Sequence, residues 1–130
     1  MDDEQYAAFI AGAVSAARAE ADFFNNPPYH DLTDAEIINA VQLYKGRDLW
    51  CGRHVGDHSQ ADMALCNELA RWCGPDPERI DALFRESGLY RGKWEREDYR
   101  RRTIAKACCR ASFIGWDQPV PRGVRARRAS

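Results

Sequence analysis

No apolar run in this 130-residue chain approaches the ~20 residues that a membrane-spanning helix needs. Its first residues, Met1-Asp2-Asp3-Glu4, are acidic where a secretory signal carries basic charge. A cytoplasmic protein with no membrane partner is therefore expected. Five cysteines, an odd number with Cys108 and Cys109 adjacent, do not suit a disulfide framework and read as reduced thiols. Neither a Gly-rich phosphate loop ending in Lys-Ser/Thr nor the paired carboxylates of a two-metal polymerising site stands out. No catalytic residue, cofactor or enzymatic activity is expected on that ground. There is also no internal repeat and no segment with the alternating pattern of a strand, which leaves helices to build the fold.

A composition of 45% hydrophobic residues at this length suits one globular domain with a modest core. The net charge of −1 conceals an asymmetry: residues 1–78 carry 5 Lys/Arg against 14 Asp/Glu, and residues 79–130 carry 14 against 6. A basic second half is an electrostatic footprint for phosphate-bearing partners.

Tyr6, Phe9, Ile10, Ala13, Val14 and Ala17 recur at helical spacing within residues 4–22, and Asn25-Asn26-Pro27-Pro28 breaks that pattern. Thr33-Asp34-Ala35-Glu36 is a capping box for a second helix running to about Lys45, with Ile37, Ile38, Val41 and Tyr44 on one face. Gly46 to Asp57 reads as irregular, and Ser59 as the cap of a third helix whose inward face is Leu65, Leu69, Trp72 and Cys73. Asp76-Pro77 starts a fourth with a capping carboxylate and a proline at the first helical position. Ile80, Leu83 and Phe84 form its core face, and Ser87-Gly88 stops it. A loop holding Tyr90, Lys93 and Trp94 leads to a last helix over about 98–111. Beyond Trp116, prolines, Gly123 and arginines read as a flexible basic tail.

This pattern predicts an all-α protein, a small irregular or orthogonal helix bundle with an extra N-terminal helix and a disordered tail. The expected parts are an amphipathic helix in 1–26, the bundle in 32–111 and the tail in 117–130. On the last helix, Ile104, Ala107, Cys108 and Ala111 fall on one side and Tyr99, Arg102, Lys106 and Arg110 on the other. A row of cations with a tyrosine can neutralise phosphates and offer a ring for stacking, although exposed helix faces are charged in most proteins. Cys51, His54, His58 and Cys66 have spacings open to metal ligation, but they match no common zinc finger, and Cys66 lies inside a helix. No metal site is expected.

The order Ser59-Gln60-Ala61-Asp62, Trp72-Cys73-Gly74-Pro75-Asp76-Pro77-Glu78, Leu83-Phe84-Arg85-Glu86-Ser87-Gly88-Leu89, Lys93-Trp94 and Tyr99 through Ala107 resembles a known domain. It is similar to the helical accessory, or C-terminal helix-bundle, domain of primase–polymerases from phages, plasmids and mobile elements. The resemblance covers 32 to about 110 and implies a free-standing copy of that domain, with the catalytic core and helicase motor elsewhere. It also implies contact with template strand and initiating nucleotide, and it would seat Trp50 under the bundle as an anchor. The family's Tyr-x-x-Arg-Thr-Ile-x-Lys-Ala pattern falls on Tyr99, Arg102, Thr103, Ile104, Lys106 and Ala107. Arg100 and Arg101 stand where relatives carry Gly and an acidic residue, which makes this version more basic. With Arg91, Lys93 and Trp94 of the preceding loop and Arg110, these residues compose the expected nucleic-acid surface, Trp94 being equally readable as core.

Two functional readings follow. One is a non-enzymatic replication accessory that binds single-stranded nucleic acid or a nucleotide and acts with a primase or helicase encoded nearby. The other is a small phage-type inhibitor whose bundle binds a host protein complex of nucleic-acid defence, a reading that the acidic first half favours.

Overall fold

The computed structural model describes residues 2–19, 32–44, 46–53, 56–110 and 123–124. Their order is α1 (Asp3–Ala19), α2 (Asp34–Leu43), α3 (Arg47–Trp50), α4 (His58–Cys73), α5 (Pro77–Glu86), a 3-10 turn (Gly92–Glu95) and α6 (Glu97–Arg110). The described residues are all-helical, without a strand.

Local chemistry sets the helix starts. The Thr33 hydroxyl accepts from the Glu36 amide at 3.1 Å while the Glu36 carboxylate accepts from the Thr33 amide at 2.9 Å, the reciprocal pair that opens α2. Asp76 accepts from the Arg79 amide and Pro77 occupies the first turn of α5. At α4 the cap is Asp57, which accepts from the Ser59 amide at 2.7 Å, so the helix starts one residue ahead of the expected Ser59 cap. Two stretches expected to be irregular hold short helices, α3 and the 3-10 turn. Each is shorter than the periodicity that reveals a helix in sequence.

α4 and α6 pack against each other at the centre, with α2 and α5 also on α4 and with α1 on α6. The core is Ile37, Val41, Leu65, Leu69, Trp72, Ile80, Leu83, Phe84, Trp94 and Ile104, with Trp50 half-buried against it. Arg79 ties α5 to the start of α2 through Asp34 at 2.9 Å and the Leu32 carbonyl. Gly52 and Gly88 bring the α3 turn against the end of α5. The Gly88 amide donates to the Trp50 carbonyl at 2.7 Å, and a Cβ on Gly88 would lie 2.5 Å from Cys51 backbone atoms.

α1 docks through buried Ala13 and through Arg101, which pairs with Asp3 and Glu97 and lies 5.2 Å from the Tyr6 ring centre. Burial pushes the Tyr6 hydroxyl up to about 12. Of the expected tail, only Gly123 and Val124 are described. Val124 is fully buried, and the Asn39 amide donates to the Gly123 carbonyl at 2.5 Å. The rest of 117–130, along with Ala111, lies outside the described residues.

Candidate nucleic-acid interface

α4 must place an acidic side chain on its apolar face, because Asp62 shares that face with Leu65, Cys66 and Leu69. Its carboxylate is fully buried and takes two bonds from the Arg91 guanidinium, each 2.9 Å, and one from the Tyr99 hydroxyl. A buried carboxylate persists only when its oxygens are met in this way. The bond to Asp62 raises the Arg91 guanidinium above its ordinary range, and burial followed by the same carboxylate raises the Tyr99 hydroxyl. Asp62 thus joins α4 to α6 and to the loop before the 3-10 turn.

That junction fixes the plane of the Tyr99 ring. The ring meets Trp94 edge-on with centres 6.2 Å apart, and the Lys93 ammonium sits 4.4 Å from its centre while also donating to the Ser59 hydroxyl at 3.3 Å. A groove of about 540 Å³ opens beside it between α4 and α6. Its α6 wall is Tyr99, Arg102, Thr103, Lys106 and Arg110, and its α4 wall is Ser59, Gln60, Met63, Ala64 and Asn67. Arg102 meets Asp98 at 3.6 Å with both side chains more than half exposed, a pairing that water and a phosphate can replace at little cost. Lys106 and Arg110 have no carboxylate partner among the described residues.

Tyr99, Arg102, Lys106 and Arg110 therefore share one wall, as their spacing predicts, and Lys93 stands at its edge. Arg91, Trp94, Arg100 and Arg101 are held elsewhere. Arg91 is committed to Asp62. Trp94 is 1% exposed, stacks on Phe84 with ring centres 3.7 Å apart and donates its indole N–H to Asp81 at 2.8 Å. It is a core residue with no ring face left for a base. Arg100 donates to the Trp94 carbonyl at 3.0 Å and lies 3.9 Å from Asp81, while Arg101 serves the α1 contact. Three of the expected cations thus act within the protein, because their acidic partners are far away in sequence.

The α4 wall is what sequence reasoning missed. Ser59 and Gln60 belong to the resemblance, yet nothing local says that α4 faces α6 at that point. Asp62, an acid at an apolar position, is the readable signal of a buried junction. The cysteines divide: Cys66, Cys73 and Cys108 are buried, whereas Cys51 and Cys109 are exposed. Burial raises all three inner thiols, Cys108 to about 12. No group of three or more His, Cys, Asp or Glu among the described residues could hold a metal ion, and His54 lies outside them. No helix among the described residues is long and apolar enough to cross a membrane.

Residues 58–113 match the family model of the NrS-1 polymerase HBD domain. The DNA primase-polymerase of Nitratiruptor phage NrS-1 is 42% identical over 83 residues, which cover 59% of this chain and 11% of that protein. No solved structure matches the chain. The resemblance drawn from the sequence holds: residues 58–113 are an NrS-1 polymerase HBD-like domain, related to part of a phage primase-polymerase. That segment holds α4, α5, the 3-10 turn and α6, and so both walls of the groove.

Proposed function

We propose that this chain is a non-enzymatic replication accessory of a mobile element that binds single-stranded nucleic acid along the α4/α6 groove, acting beside a separately encoded primase or helicase. The relation to a phage primase-polymerase supports the replication setting. The observation that carries the reading is the α6 wall, where Arg102, Lys106 and Arg110 line one groove with a tyrosine whose ring is fixed from behind. Cations along the wall neutralise successive phosphates, and release of condensed counterions drives binding. Tyr99 and Met63 give a base an aromatic and an apolar surface inside the groove, so that the strand is held at its backbone and at a base together.

The test is fluorescence polarisation with a labelled single-stranded oligonucleotide across a salt series, comparing wild type with Arg102→Gln/Lys106→Gln. The double variant keeps helix propensity and should stay folded. Its affinity should fall and its salt slope should shallow by roughly 1.5, at ~0.7 per phosphate contact. Unchanged affinity and slope would leave the wall a solvated surface. If wild type binds no strand even at low salt, the reading passes to the inhibitor that binds a host protein complex.

A further inference from the structure

The α4 wall carries a polar group that the fold does not satisfy. The amide oxygen of Asn67 is covered and has no hydrogen-bond partner among the described residues, and Asn67 lines the groove. Its neighbours do not supply a donor. Met63 and Ala64, one turn back on α4, are apolar, and the Thr103 hydroxyl across the groove donates instead to the Tyr99 carbonyl at 2.9 Å. Covered acceptors in folded proteins are nearly always met, so one left open in the wall of a ligand-sized groove marks a place where the ligand supplies the donor.

We propose that Asn67 reads a base: turned into the groove, its amide oxygen accepts a hydrogen bond from the exocyclic amino group of an unpaired adenine or cytosine, and its amide nitrogen donates to the adjoining ring nitrogen. The proposal rests on the nucleic-acid reading of the groove and adds a chemical preference to it. A carboxamide presents an acceptor beside a donor. Adenine and cytosine present the complement, an amino group beside a ring-nitrogen acceptor. Thymine and uracil place carbonyl oxygens on either side of their one ring N–H, so they would set an oxygen against that of Asn67. The cations of α6 and the stacking surface of Tyr99 do not distinguish bases, which leaves Asn67 as the discriminating group of the groove. Gln60, also on the α4 wall, lies at the Tyr99 end near Ser59 and gives a second amide for a neighbouring base.

The experiment measures polarisation with oligonucleotides of equal length made of adenine, cytosine or thymine, plus one in which purine, lacking only the amino group, replaces adenine. Wild type should bind the adenine and cytosine strands about three- to tenfold more tightly than the thymine and purine strands, the range expected of one or two net hydrogen bonds. Asn67→Ala, which suits a helix interior, should bring all four to the affinity of the thymine strand and leave the salt slope unchanged. Equal binding of all four strands by wild type, with the slope intact, overturns base reading while the nucleic-acid surface stands. A preference that survives in Asn67→Ala also overturns it. Failure of every strand to bind at low salt removes the surface and the base reading together. The adenine-against-purine comparison needs no variant, so it decides the matter even if Asn67→Ala does not fold.

Discussion

A carboxylate with no exposed surface must find donors, and Asp62 takes two from Arg91 and one from Tyr99. Arg91 and Arg102 look alike in sequence as cations of a basic half, yet they stand in opposite environments. Arg91→Ala leaves a buried charge without its counter-ion, a loss of about 3–5 kcal/mol. Arg102→Ala removes an exposed cation from a weak pair with Asp98, and a change within about 0.5 kcal/mol is expected. Urea denaturation midpoints of the two variants test this, and similar midpoints would mean that the Asp62 junction does not hold the fold. The buried thiols add a pH dependence. Cys108 is pushed up to about 12 by burial, whereas in the unfolded chain a thiol ionises near ~8.5. Its contribution is thus fully present below ~8.5 and is lost as pH rises from there toward 12, because the unfolded state gives up its proton first. Melting temperature followed from pH 7 to 11 should decline less steeply in Cys108→Ala than in wild type. Parallel declines would show that Cys108 ionises as easily in the folded protein as in the unfolded chain.

At the scale of the element, what the sequence made legible was whatever depends on near neighbours. The Thr33–Glu36 box and the Asp76-Pro77 start lie within one turn of chain and appear where their residues predict. The side of α6 that carries Tyr99, Arg102, Lys106 and Arg110 follows from helical stepping alone, and it is the side that lines the groove. α3 and the 3-10 turn escaped because four residues hold too little periodicity to read. Arg100 and Trp94 were grouped with the surface because their shared partner, Asp81, lies 19 and 13 positions earlier, on α5. The same distance in sequence hid the α4 wall: the pairing of α4 with α6 is tertiary, and Asn67 looks like any polar residue of a helix until α6 is laid against it. Half the groove was therefore readable, the half that sits on one helix.

At the scale of the whole molecule, segments outside the matched domain pack onto it at two places, α1 on α6 and Gly123-Val124 on α2. The second contact bears on which residues make the stable unit. The bundle expected over 32–111 excludes Val124, whose side chain is fully buried in the core cluster and whose carbonyl, with that of Gly123, faces the Asn39 amide. Prolines and arginines on either side masked this residue in the sequence, since one valine among them carries no periodic signal. Burial of such a side chain is worth about 1.5–3 kcal/mol, and removal of two of its carbons about 2 kcal/mol. A chain ending at Ala111 should accordingly unfold at lower urea than the full chain. Val124→Ala should reproduce most of that loss while keeping every arginine, which separates apolar burial from charge. If both variants unfold at the wild-type midpoint, Val124 contributes nothing and the bundle is complete without it. If truncation destabilises and Val124→Ala does not, the stabilising contact lies elsewhere beyond Ala111.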